Sequence, residues 1–155
     1  MTIRRRMILS ASIIVAAAYL GYASEQLVRR ADLPAAVQKT AQEQSKGAVI
    51  KRYVKDNEDG QLEYEVQMIV DGHSKDVSIA PDGKLLEVEE QVKLDLLPAT
   101  VRQSLQKKAG KGTITKVESI TKKGQIVAYE AQVRTEGKHS EIQVGPDGQA
   151  LQHEE

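Results

Sequence analysis

The sequence predicts an α+β fold: two tandem copies of one helix followed by a four-stranded antiparallel sheet, after an N-terminal signal or anchor helix. Three observations predict it. An uncharged run follows three arginines at the N-terminus, the rest of the chain matches itself at a fixed offset, and each copy alternates apolar and polar residues with period two. A length of 155 residues allows one medium domain or two very small ones. With 22 Lys+Arg against 22 Asp+Glu there is no basic excess, which argues against a nucleic-acid partner. The absence of Cys removes disulfides, thiolate zinc sites and cysteine nucleophiles.

The N-terminal element comes first. Arg4, Arg5 and Arg6 precede an uncharged run over residues 7–23, and Gly21-Tyr22-Ala23 sets small residues at the −3 and −1 positions of a cleavage site. These 17 residues are slightly long for a signal core and slightly short of the ~20 that cross a bilayer. A cleaved signal peptide is favoured over an uncleaved single-pass anchor in the inner membrane. In both cases the arginines stay cytoplasmic, and the modules are exported, periplasmic or secreted. No amphipathic stripe over residues 8–20 supports a buried core helix.

A linker over residues 24–31 leads to module one, 32–92, and module two, 93–155. At an offset of 65, residues 45–90 lie over 110–155, and thirteen of the 46 pairs are identical. Ordinary residue usage gives roughly three matches over such a span. Upstream the offset is 64, placing Leu33-Pro34-Ala35-Ala36-Val37 over Leu97-Pro98-Ala99-Thr100-Val101. The single insertion is placed in the Gly-rich Ala109-Gly110-Lys111-Gly112. A period this long reads as two modules, since solenoid repeats are shorter and more numerous.

Within each copy the helix opens at Pro34 or Pro98, where the fixed φ of proline suits a first turn. Val37 and Ala41, or Val101 and Leu105, share its inner face, and Gly47 or Gly112 ends it. A first strand covers about residues 49–55 and 114–121. The second strand is the clearest: Leu62, Tyr64, Val66, Met68 and Val70 alternate with polar neighbours, as do Val127, Tyr129, Ala131 and Val133. Asp71-Gly72 and Glu136-Gly137 mark hairpin turns. Third strands carry Val77 and Ile79, or Ile142 and Val144. Pro81-Asp82-Gly83 and Pro146-Asp147-Gly148 turn into fourth strands carrying Leu86 and Val88, or Leu151. Gly72, Gly83, Gly137 and Gly148 are the structural turn residues. At about 60 residues one copy is marginal by size, so the copies are expected to share an interface or one continuous sheet.

This order of elements resembles the PepSY-like family of bacterial exported modules, including the tandem beta-lactamase-inhibitor-like group. The resemblance rests on Leu33-Pro34-x-x-Val37, Tyr64-Glu65-Val66, Asp71-Gly72 and Pro81-Asp82-Gly83-Lys84-Leu85-Leu86. Module two repeats it with Leu97-Pro98-x-x-Val101, Tyr129-Glu130-Ala131, Glu136-Gly137 and Pro146-Asp147-Gly148. It implies a helix on an antiparallel sheet and a role in binding or restraining extracytoplasmic peptidases or other enzymes. No peptidase domain accompanies the modules, so restraint within one chain is excluded. Neither copy offers a reactive loop, so beta-lactamase inhibition is not carried over.

Chemistry is sparse. Ser104-Leu105-Gln106-Lys107 and Ser119-Ile120-Thr121-Lys122 fit an S-x-x-K spacing, but no companion motif completes a nucleophile–base set, and an enzyme is not expected. In Asp56-Asn57-Glu58-Asp59-Gly60 a calcium-loop reading would put Lys55 and Val66 at ligand positions one and twelve, so an acidic turn is the better account. His73, His139 and His153 share no face and are not read as metal ligands. No metal and no cofactor is therefore expected.

Glu65 and Gln67 recur as Glu130 and Gln132 on outward positions that core packing does not constrain. They are the candidate partner-binding residues. The expected function is an exported, non-enzymatic protein-binding module contacting an extracytoplasmic protein or peptide through its sheet face or a strand edge. The alternative is a structural envelope protein held by an uncleaved N-terminal helix. Membrane contact is expected only through residues 1–23.

Overall fold

Among the described residues, eight strands hydrogen-bond in strict chain order into one antiparallel sheet. The structure, a computed structural model, describes residues 25–58 and 60–153; the expected signal or anchor segment lies outside the described residues. The elements are β1 (Gln26–Val28), α1 (Ala35–Gln44), β2 (Val49–Glu58), β3 (Gln61–Val70), β4 (His73–Ile79), β5 (Leu85–Gln91), α2 (Ala99–Ala109), β6 (Thr113–Lys122), β7 (Gln125–Thr135) and β8 (Lys138–Val144). Single 3₁₀ turns at Arg30–Asp32 and Leu94–Leu96 precede the helices.

This corrects the expectation of two tandem units, each a helix with its own four-stranded sheet. The halves are fused because β5 pairs with β6 from Glu87↔Lys122 to Gln91↔Glu118. Each of these strands would otherwise leave a row of unpaired backbone groups, and a half of this size buries too little surface to stand alone. The strand count also differs between halves. Residues 26–28, read as linker, pair with β2 at Gln26↔Lys55 through Val28↔Tyr53. Among the described residues the second half has no fourth strand, since residues 149–153 form none. In the first half Val88 on β5 packs against the core beneath α1. The residue at the matching place is His153, which supplies no apolar anchor.

Both helices lie on one face of the sheet, over two separate cores. Val37 and Ala41 of α1 meet Tyr64, Val66, Met68, Val77 and Ile79. Val101 and Leu105 of α2 meet Val117, Tyr129, Ala131 and Val144. The helices are short, and burial of this stripe holds them where propensity alone would not.

Strand register relocates the insertion between the halves. Ile50↔Met68 and Arg52↔Gln67 have their match in Ile114↔Val133 and Lys116↔Gln132, an offset of 64 on β2 and β6. That offset persists to Asn57↔Leu62 and Thr121↔Ile126, then becomes 65 at Asp56↔Glu63 and Ile120↔Ala128. The extra residue is thus Val127, opposite the irregularity between Ile120 and Thr121, and not in the loop at 109–112. A β-bulge absorbs one residue with only a local kink. Consequently Arg52, not Lys51, is the counterpart of Lys116.

Two-residue turns at Asp71-Gly72, Lys123-Gly124 and Glu136-Gly137 have positive φ at both positions, the I′ geometry that matches strand twist. Gly83 and Gly148 do something different. Each has φ above +80°, and a Cβ there would lie 2.9 Å from the Ala36 carbonyl oxygen or 2.8 Å from that of Thr100. Only a bare α-carbon lets these turns seat against the first turn of each helix.

Candidate functional site: the open face of the sheet

Alternation sends the odd-numbered residues of β3 away from the helices, and the pairing carries their phase across the sheet. Glu65 stands beside Ser78 and Val54, Gln67 beside Arg52 and Asp76, and Glu130 beside Glu118 and Gln143. The result is one groove of about 1110 Å³ lined from Arg52 on β2 to Glu141 and Gln143 on β8. A flat sheet cannot enclose such a volume, so the face is concave. Nine carboxylates line it (Glu25, Glu63, Glu65, Asp76, Glu87, Glu89, Glu118, Glu130 and Glu141) against three bases, Arg52, Lys116 and Lys122.

The sequence predicts a wet face, yet this one is partly dry. Glu118 and Ile120 are two apart on β6 and so share the open face, where they are 3% and 1% exposed. Ala128 beside Ile120 is fully buried on the same side. Apolar floor residues beneath a rim of acids make the charged forms costly. Burial pushes Glu89 up to about 9, helped by a hydrogen bond shared with Glu87 and by the charges of Glu87, Glu118 and Glu130. Burial likewise raises Glu65, Asp76 and Glu130, against the opposing pull of Gln67, Lys116 and Gln143 respectively.

The four sequence-predicted binding residues all lie on this groove. Their local bonding differs. Gln67 donates to Glu65 at 2.7 Å and accepts from the Arg52 guanidinium. Glu130 instead accepts from Gln143 Nε2 at 2.9 Å. Of the turn glycines, Gly72 and Gly137 cap hairpins at the sheet end, and Gly83 and Gly148 lie under the helix starts. None of the four lines the groove.

Sequence reasoning missed the seam at the centre of the groove. Asp76, Glu89 and Glu118 converge from β4, β5 and β6 with their carboxylate oxygens within 4.8 Å of one another. Among the described residues these are the ones that could ligate a hard cation. Lys116 pairs with one member of the cluster, with Nζ 2.5 Å from Glu118, and Ser74 Oγ donates to the same oxygen at 3.3 Å. Lys122 pairs with Glu87 at 3.1 Å across the β5–β6 junction. The signal was present in the phase of the strands, because outward positions Glu87 and Glu89 are acidic like Glu63 and Glu65, but only the fused sheet brings them to one place.

Of the histidines, His73 lies 3.0 Å from Glu90 on the helix side, and His139 and His153 are exposed. Ser104 on α2 and Ser119 on β6 have no partner base arranged as a nucleophile requires. On the helix side a second groove of about 770 Å³ runs between the two cores, lined in part by Leu94, Leu96, Ile126 and Tyr129. No described helix is long and apolar enough to cross a membrane.

No family model matches the chain, and no curated protein does. Solved structures do. A Bacteroides eggerthii protein described as periplasmic is 19% identical, with a TM-score of 0.63 over 77% of this chain and 86% of its own. A BLIP-like protein from Bacteroides fragilis is 18% identical, with a TM-score of 0.57 over 77% and 83%. A DUF2874 family protein from Bacteroides uniformis is 14% identical, with a TM-score of 0.61 over 77% and 86%. The chain therefore shares the BLIP-like, DUF2874-type fold at low sequence identity.

Proposed function

We propose that the chain is an exported, non-enzymatic protein-binding protein of the PepSY-like kind. Its concave open face receives a cationic surface of an extracytoplasmic protein, as would suit restraint of a peptidase or another enzyme. The observation that carries this reading is the groove itself, with nine acids against three bases on one continuous face. Burial raises these carboxylates and their mutual repulsion adds to it, while cations of a basic partner laid against them favour the ionised forms, so binding and proton loss are coupled. The fold it shares with a BLIP-like protein and a protein described as periplasmic supports the reading. The arginine-led run at residues 4–23 supports export.

Affinity capture from an envelope extract tests it, with the full chain beside a Glu65→Lys/Glu141→Lys variant. A specific partner is expected, with recovery falling about tenfold for the charge reversal and declining as salt is raised. Failure to recover any specific partner across growth conditions would sink the binding function. Equal recovery by both chains would remove the open face as its surface. A membrane-bound oligomer with an intact N-terminus would instead favour the structural envelope alternative.

A further inference from the structure

We infer that the free edge of β8 is a strand acceptor, taking an extended segment of the partner antiparallel to β8, with apolar residues toward the α2 side and basic residues toward the open face. The inference rests on the protein-binding reading above and names how the partner would be held.

Among the described residues β8 is the last strand of the sheet and pairs only with β7. The two-residue turn fixes the phase of that pairing. Thr135↔Lys138 closes the hairpin, so Val133↔Ser140, Ala131↔Ile142 and Tyr129↔Val144 exchange hydrogen bonds. The backbone groups of His139, Glu141 and Gln143 therefore point away from β7. Lys108 Nζ, from α2, donates to the Gln143 carbonyl at 2.8 Å. A lysine at this place blunts an edge without closing it.

The first half of the molecule shows what such an edge takes. β4 occupies the place of β8, since Tyr64↔Ile79 corresponds to Tyr129↔Val144. Its outward groups at Asp76 and Ser78 face Glu89 and Glu87 of β5, while Val77 faces Val88 on the core side. On β8, half-buried Ile142 stands where Val77 does, and exposed Glu141 stands where Asp76 does. An apolar residue opposite Ile142 would cover it as Val88 covers Val77. Opposite Glu141 a base would offset the repulsion between Glu130 and Glu141, where the first half instead sets Glu89 against Asp76 and holds its carboxyl protonated. The chain's own sequence reads His153-Glu154-Glu155 where β5 reads Val88-Glu89-Glu90, so it offers no apolar residue to Ile142 and a further acid to Glu141. A second copy brings an identical acidic face alongside, which charge also opposes. A partner strand of alternating apolar and basic residues satisfies all three conditions.

The test uses the full chain and a synthetic peptide carrying the sequence of residues 84–91 with lysine in place of Glu87 and Glu89, which take the open-face phase, and valine in place of Glu90, which takes the helix-side phase with Val88. Hydrogen exchange at the His139 and Glu141 amides is expected to slow about tenfold or more at saturating peptide. The same peptide N-methylated on alternate amides should not bind, a control that leaves the protein unaltered. Lys108→Ala, which removes the ammonium that donates to the Gln143 carbonyl, should tighten binding severalfold. Glu141→Pro should abolish it without loss of melting temperature, because that N–H makes no bond to β7. Unchanged exchange at millimolar peptide overturns the proposal. So does binding indifferent to N-methylation, which would map to the open face and leave the protein-binding reading standing. Slowed exchange that appears without peptide and grows with protein concentration overturns it too, by identifying a second copy as the occupant.

Discussion

The first half of the sheet, β1 to β5 with α1, ends in a strand that joins it to its neighbour; the second, β6 to β8 with α2, ends at an open edge. Both begin from closely matched sequence. The helices differ by one large exchange on the inner face, Ala41 for Leu105, and the strands beneath answer it, with Val66 and Ile79 in one half and Ala131 and Val144 in the other. Volume is conserved while its source moves from strand to helix, as close-packed interiors demand. The same tolerance does not extend to the edge. There Val88 gives way to His153 and Leu85 to Ala150, removing apolar side chains that seat a fourth strand.

The largest expected effect comes from breaking the volume exchange. Leu105 is fully buried beneath α2. Leu105→Ala gives α2 the inner face of α1 without the larger strand residues that complete it, and should cost about 3–4 kcal/mol in urea unfolding. The reciprocal Ala41→Leu overpacks a filled site and should cost about 1–3 kcal/mol. A loss below about 1 kcal/mol for Leu105→Ala would mean that α2 is not anchored as α1 is.

The next effect lies at the seam where the two halves meet. Glu89 is pushed up to about 9 by burial and by its acidic neighbours, so the folded chain holds a proton that the unfolded chain has lost. Stability should therefore fall as pH rises from about 4.5 toward 9, and be flat in this respect below that window. Glu65, Asp76 and Glu130 are raised as well and act in the same direction. Glu89→Gln keeps the shape, removes the titration, and should stabilise the chain at pH 8 by on the order of 1–2 kcal/mol while changing little near pH 4. Urea midpoints at the two pH values measure this. Stability that rose between pH 5 and pH 8 would mean the cluster is held ionised, and would return a bound cation to consideration.

What could be read in the sequence follows from which forces are local. Period-two alternation placed Tyr64, Val66 and Met68 inward, because a strand's two faces are set by its own residues. Outward Glu65, Gln67, Glu130 and Gln132 followed from the same phase. The β5–β6 pairing could not be read, since nothing in 85–91 or 113–122 distinguishes a strand that ends a sheet from one that continues it. Asp76, Glu89 and Glu118 were invisible as a cluster for that reason: their meeting depends on the seam. The insertion was misplaced because Lys51 and Lys116 are identical in type, while the register pairs Lys116 with Gln132 as it pairs Arg52 with Gln67. Identity of residue is a weaker guide than hydrogen-bond register where a bulge intervenes.

The smallest difference between the halves is a single hydroxyl. On α1, Thr40 Oγ1 donates to the Gly83 carbonyl at 2.6 Å and ties the helix to the turn whose glycine already sits against Ala36. Its counterpart 64 residues on is Ser104, half-buried on α2, whose hydroxyl makes no hydrogen bond among the described residues. The turn it would reach, at Gly148, leads to no further strand, so there is less to hold in place. Thr40→Val should cost about 1 kcal/mol, the ordinary worth of one such bond, and Ser104→Ala less than about 0.5 kcal/mol. Thermal melts of the two variants make the comparison directly. Equal losses would mean that α2 grips its turn as α1 does, and that the open edge owes nothing to a looser helix–turn contact.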